Sequence, residues 1–230
     1  MAGINLFGGL SLISGIACCL WIAWDEIRRP QKMAIMNAVW PITALYAGPL
    51  GVAAYLRLGK RDTSGAAEDE PSPQTIIRGC THCGAGCTLG DMVAETLLLL
   101  IPSLALWLGW HRLWQEKIFS AWVLDFVVAF AFGIAFQYFS IKPMHPDMTA
   151  GTALRRALQA DALSLIAWQI GMYLAMAIAH FVIFPDLVGQ RLAPDSIAFW
   201  WVMQFAMLAG LMTAYPVNRW LIARGIKESM

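Results

Sequence analysis

Residues 118–141 read IFSAWVLDFVVAFAFGIAFQYFSI, a run of 24 with one acid, Asp125, and no base. An α-helix rises roughly 1.5 Å per residue, so about 20 such residues cross a hydrocarbon core of about 30 Å. A soluble helix of this length would carry a charged face, and this one has none. Five further apolar runs flank it: Ile4–Trp24, Val39–Leu56, Leu89–Gly109, Ala162–Phe184 and Ile197–Tyr215. The pattern predicts an all-α fold, a polytopic membrane helical bundle of about six transmembrane helices. Tryptophans near the run ends, such as Trp24, Trp110 and Trp201, suit the membrane interface, where an amphipathic ring is favoured. Small-residue pairs such as Ala129/Gly133 and Gly210/Ala214 suit close helix packing.

The composition agrees. The chain is 59% hydrophobic and only 13% charged, outside the range of soluble globular domains. A net charge of +1 supplies no basic field for nucleic acid. The lipid bilayer is the expected surrounding, with other membrane subunits or further copies of the chain as expected protein partners. No Lys or Arg precedes the first run, which argues against a secretory signal, and a multi-pass protein of the cytoplasmic (inner) membrane is expected. Five cysteines, an odd number, argue against a complete disulfide framework, and Cys18 and Cys19 read as small buried hydrophobes.

Six spans bring both termini to one side. With the N-terminus inside, 10 of the 16 Lys and Arg lie inside and six outside, so an N-in/C-in arrangement is expected, although Arg28, Arg29 and Lys32 then cluster on the outer side. Residues 1–57 would hold the first two spans, 58–78 a flexible cytoplasmic linker, and 79–230 the cysteine motif and spans three to six of a single membrane domain. Asp147–Ala160 reads as a short interfacial helix leading into span five.

Chemistry concentrates in Gly79–Asp91, GCTHCGAGCTLGD. Cys80, Cys83, Cys87, Asp91 and Glu95 follow steps of three and four, so a helix would put all five on one face. Three glycines argue against a helix there, and predict instead a glycine-rich turn ending at an N-cap on Thr88, with Asp91 completing a capping box. Thiolate and imidazole bind soft and borderline metals, so Cys80, His82, Cys83 and Cys87 are candidate ligands for Cu(I) or Zn(II). Inert reduced thiols would give the same sequence. Carboxylates inside a bilayer are costly and usually face a bundle interior, so Asp91, Glu95 and Asp125 are the candidate proton or cation relay, with Asp161 at a span edge. Met172/Met176 and Met203/Met207 are i, i+4 pairs that suit a soft-ligand path and equally suit a gap-filling core. Met144, His145 and Met148 form one more soft cluster in a loop.

The segments HCGAGCTLGD (His82–Asp91), FQYFSIKPM (Phe136–Met144), ADALSLIAWQIGMY (Ala160–Tyr173) and MLAGLMTAYPVNRWLIARGIKE (Met207–Glu228), with AVWPITALYAGPLG (Ala38–Gly51), resemble a bacterial and archaeal family of integral membrane proteins of unknown function. The resemblance implies a helical membrane domain and lends no activity. Where the family tends to have Arg and Trp, this chain has His145 and Arg219.

The residues lead to the expectation of a membrane protein that captures a soft metal ion and transports or delivers it. Two alternatives stand beside it: a thiol–disulfide oxidoreductase using Cys83 and Cys87, and a non-catalytic accessory subunit of a larger membrane complex. Walker, HExxH, nucleophile-elbow and dinucleotide motifs are absent from the sequence, as is CxxCH for c-type haem.

Overall fold

The computed structural model describes residues 2–59 and 72–228. In chain order the helices are α1 (Ala2–Arg28), α2 (Met36–Ala47), α3 (Pro49–Ala54, extended by a π-helical turn, Tyr55–Gly59), α4 (Pro73–Leu100), α5 (Ser103–Trp107), α6 (Lys117–Met144), α7 (Ala150–Ile178), α8 (Phe184–Val188) and α9 (Ile197–Ala223). A π-helical turn, Ala179–Ile183, joins α7 to α8. No strand occurs among the described residues. Five of these helices, α1, α4, α6, α9 and the α7–α8 rod, are long and apolar enough to cross a membrane. Hydroxyl caps start three of them: Ser72, Thr149 and Ser196 accept from the backbone N–H three residues on.

Glycine fixes the tightest helix crossing. A Cβ on Gly86 would lie 2.6 Å from the Gly133 backbone, and one on Gly90 would strike Ala129, so α4 and α6 approach backbone to backbone. Trp168 of α7 fills the space over Gly84 and Gly210, and is fully buried.

The second apolar run does not cross. Gly48, at φ +52°, breaks it, and α3 returns antiparallel to α2, with Gly51 against Ala44 and Gly59 against Trp40. At roughly 1.5 Å per residue, the 12-residue α2 reaches about 18 Å, too short to span. It forms a helical hairpin packed against the long helices. Its tip lies beside Gly15 in the middle of α1. Irregular backbone at that depth must be satisfied by protein. Gln204 of α9 donates to Leu45 O at 2.7 Å, and Ser11 of α1 holds the Gln204 carbonyl at 2.6 Å. Gln204→Leu leaves that carbonyl unmet, and a loss of about 1–3 kcal/mol is expected. A thermal unfolding series in detergent would measure it, and an unchanged midpoint would remove Gln204 from this role.

The hairpin changes the expected topology. Asp25 near the end of α1 bonds Tyr55, and Arg78 near the start of α4 bonds Leu58 O, so those ends share one face. Gly79 meets Asn218 and Lys227 on that same face. At the other end Gly8 packs on Trp201 and Ile197. With five helices long and apolar enough to cross, Ala2 and Glu228 stand at opposite ends of the bundle, which replaces the even arrangement expected from six spans. The displaced cluster Arg28, Arg29 and Lys32 then joins the other bases: 11 of the 14 described Lys and Arg lie at the end that holds the C-terminus, and only Arg112, Lys117 and Arg191 lie opposite.

Two further expectations are corrected. The cysteine segment is no turn, because α4 begins at Pro73, capped by Ser72, and runs unbroken to Leu100. Its glycines serve packing, and Thr88 donates to Gly84 O at 2.7 Å within the helix instead of capping it. Residues 73–78, placed in the linker, are therefore helical, while 60–71 lie outside the described residues. The interfacial helix before span five is the first part of α7 itself.

Candidate functional site

Continuity of α4 through the cysteines builds one buried ladder. Cys83, Cys87, Asp91 and Glu95 succeed one another at single-turn spacing and are all at most 2% exposed. The sequence had placed them on one face, and the structure turns that face into the bundle. Two polar clusters lie along it.

The first is near the basic end. Lys227 follows α9 after Gly225, whose φ of +66° suits the left-handed turn that ends a helix. Its chain re-enters the bundle, where Nζ pairs with Asp161 of α7, both side chains wholly buried. The same Nζ donates to Asn218 Oδ1 at 2.7 Å and to Gly79 O at 2.9 Å. Burial alone would lower the Lys227 pKa, but the Asp161 carboxylate outweighs it and holds the ammonium above its ordinary value. Cys83 Sγ donates to Asp161 Oδ1 at 3.6 Å. Outside, Glu228 reaches His145 Nε2 at 3.0 Å and Arg156 at 3.9 Å, clamping the tail. A cavity of about 710 Å³ opens beside this cluster, lined by Gln137, Ile141, Arg156, Gln159 and the tail.

The second cluster is acidic. Asp125 of α6 lies within electrostatic reach of Asp91 and Glu95, and Tyr173 of α7, whose hydroxyl donates to Trp122 O at 3.0 Å, lies within reach of the same three carboxyls. Asp91 is 1% exposed and neither oxygen has a hydrogen-bond partner; Asp125 is equally buried with Oδ1 unpartnered. Gln169, one turn before Tyr173 on α7, is also buried with its amide unpartnered. Neither Asp91 nor Asp125 is ion-paired among the described residues. Glu95 reaches further out. It lines a cavity of about 240 Å³ at the end opposite the basic one, together with Lys117, His180 and Arg191. Bases at that rim face the acids electrostatically without entering the cluster.

The candidate metal ligands are dispersed. His82 turns toward α6, its Nε2 2.9 Å from Ser140 Oγ and its Nδ1 3.3 Å from Arg78 O, so both ring nitrogens have partners. Cys83 faces Asp161 instead, and Cys80 faces Lys227 and Asn218. Among the described residues no three His, Cys, Asp or Glu side chains are placed to hold one metal ion. Met172 and Met176 are buried in the main core. Met203 and Met207 line a side cavity with Asp91, and Met207 Sδ accepts from Trp168 Nε1 at 3.5 Å.

Sequence reading counts Lys227 only among the bases of the inner loops and gives it no place in the site. It lies beyond the last apolar run, and only its position opposite Asp161 distinguishes it from a surface lysine. Asn218 was missed for the same reason.

Fold and site together define a polytopic helical membrane protein with ionisable groups stacked inside its bundle. Residues 73–227 match the family described as Domain of unknown function (DUF4396), and the chain belongs to that family. The match begins at the first residue of α4 and ends at Lys227, so it takes in the whole ladder and both clusters. It leaves out α1 and the hairpin, including the Ala38–Gly51 segment. No curated protein and no solved structure matches the chain.

Proposed function

We propose that this protein is a membrane carrier that moves protons along α4, between the cavity at Glu95 and the Asp161–Lys227 pair. The observation that carries this reading is the state of Asp91 and Asp125: two buried carboxyls within electrostatic reach of each other, with both oxygens of Asp91 and Oδ1 of Asp125 lacking a hydrogen-bond partner. A buried carboxylate without a cation is costly, so each charge has to be neutralised by a proton or by an arriving cation. Groups in that condition exchange protons as their surroundings change. Glu95 connects them to one face, and the thiols of Cys87 and Cys83 continue the line toward Asp161. The test is reconstitution into liposomes carrying an internal pH dye, with a membrane potential imposed by potassium and valinomycin. Vesicles with the protein should acidify faster than empty ones.

Delivery of Cu(I) or Zn(II) by Cys80, His82, Cys83 and Cys87 has the support of ligand chemistry alone. It would require His82 and Cys83, now turned to different helices, to regroup.

In the proposed orientation the basic end faces the cytoplasm across the cytoplasmic membrane, because basic loops are retained on that side. The C-terminus is then inside and the N-terminus outside. A fluorescent reporter that matures only in the cytoplasm should work when fused after Met230, and a cysteine-reactive, membrane-impermeant label should reach a Gly189→Cys variant from outside whole cells. Labelling only after lysis would reverse the orientation.

A further inference from the structure

The cavity at the end opposite the basic one is lined by five ionisable side chains: Glu95 of α4, Glu116 and Lys117 where α6 begins, His180 after α7, and Arg191 between α8 and α9. At about 240 Å³ it has room for water. Arg191 and Glu116 pair with each other at its rim, their side chains 52% and 36% exposed, so bulk water reaches it. These two are the charged groups that act on the His180 ring, whereas Lys117 acts on Glu95. Two acids and two bases balance, so the cavity has no excess charge with which to hold a resident ion.

His180 is the group here with a free nitrogen. It is 8% exposed, and its Nδ1 is buried without a partner. His82, the other buried histidine, has both ring nitrogens occupied. Gln169, Tyr173 and His180 are spaced by four and then seven residues, which keeps them on one face of the rod, and Tyr173 lies within reach of the acidic cluster. The π-helical turn Ala179–Ile183 carries the ring at the cavity, and such turns frequently occur at functional sites.

We infer that His180 is the residue that exchanges protons between water in this cavity and Glu95. The inference rests on the carboxyl path proposed above and supplies its entrance at this end. Imidazole takes up and returns protons near neutrality, and its two nitrogens let a proton arrive at one and leave from the other. In the inward step a hydronium ion gives a proton to the ring and becomes water. The imidazolium then passes a proton to the Glu95 carboxylate: an N–H bond breaks, a carboxyl O–H bond forms, and the ring is neutral again.

The experiment is potential-driven proton entry into liposomes holding the full-length protein, its His180→Ala variant or its His180→Gln variant, each with and without imidazole in the medium. Imidazole crosses bilayers by itself, so rates are taken above those of protein-free vesicles given the same imidazole. Both variants should lose flux by about a hundredfold, the usual contribution of a positioned acid–base group. Imidazole should restore much of it in His180→Ala, whose vacated space admits the free base, and none in His180→Gln, whose side chain fills that space. Should the cavity not tolerate alanine, His180→Glu against His180→Gln asks the same question: the glutamate carries a proton and should keep flux, and the amide of the same shape should not. Parental flux in His180→Gln would overturn the relay and leave the carboxyl path intact. Loss that neither imidazole nor glutamate relieves would also overturn it, making His180 a packing residue. No flux from the parent protein would overturn path and relay together.

Discussion

Replacing Lys227 with methionine is expected to destabilise the folded protein by about 3–5 kcal/mol, the usual result of stripping one partner from a buried ion pair. The ammonium serves three acceptors from three helices: Asp161 of α7, Asn218 of α9 and the Gly79 carbonyl of α4. All would be left buried without their donor, with Asp161 carrying an uncompensated charge. The melting temperature in detergent should fall by many degrees, and the tail beyond Gly225 should become open to protease. Adding Asp161→Leu should restore most of the loss, because a buried pair replaced by apolar side chains is often neutral in stability. Some deficit should remain, since Asn218 and Gly79 would still lack their donor. A Lys227→Met variant that melts like the parent would mean that the tail does not dock in the bundle.

The second large effect concerns the acids. Asp125→Asn preserves the shape of the side chain and removes its exchangeable proton, so flux should fall to that of protein-free vesicles. Asp91→Asn and Glu95→Gln should do the same, because the three lie along one route and each step must pass its proton on. Cys80→Ala, which alters a candidate metal ligand outside the ladder, should leave flux unchanged. That contrast separates the carboxyl path from a soft-metal carrier, in which Cys80 would matter and removed copper or zinc would stop activity.

Much of the fold could be read from hydrophobic run length. Residues 118–141 can be satisfied only by a crossing or by deep burial, and the long helices follow from the same physics. Val39–Leu56 could not be read that way, because folding back into the bilayer needs the same apolar composition as crossing it. Gly48–Pro49 in its centre and the misplaced Arg28, Arg29 and Lys32 were the available signs. The cysteine segment misled for a related reason: glycine that breaks helices in water serves helix contact in a membrane, as at Gly86 against Gly133 and Gly90 against Ala129. Once α4 is continuous, the step of four from Cys83 to Glu95 becomes a real ladder. Asp91, Glu95 and Asp125 were legible as candidates because buried charge is costly anywhere. Asp161 and Lys227 were not legible as a pair, since nothing local to either names its partner.

The most direct test is proton entry into liposomes holding the intact protein, compared with the Asp125→Asn protein folded to the same melting temperature. The carboxyl path predicts potential-driven acidification in the first and none above background in the second. Equal rates from both would contradict it.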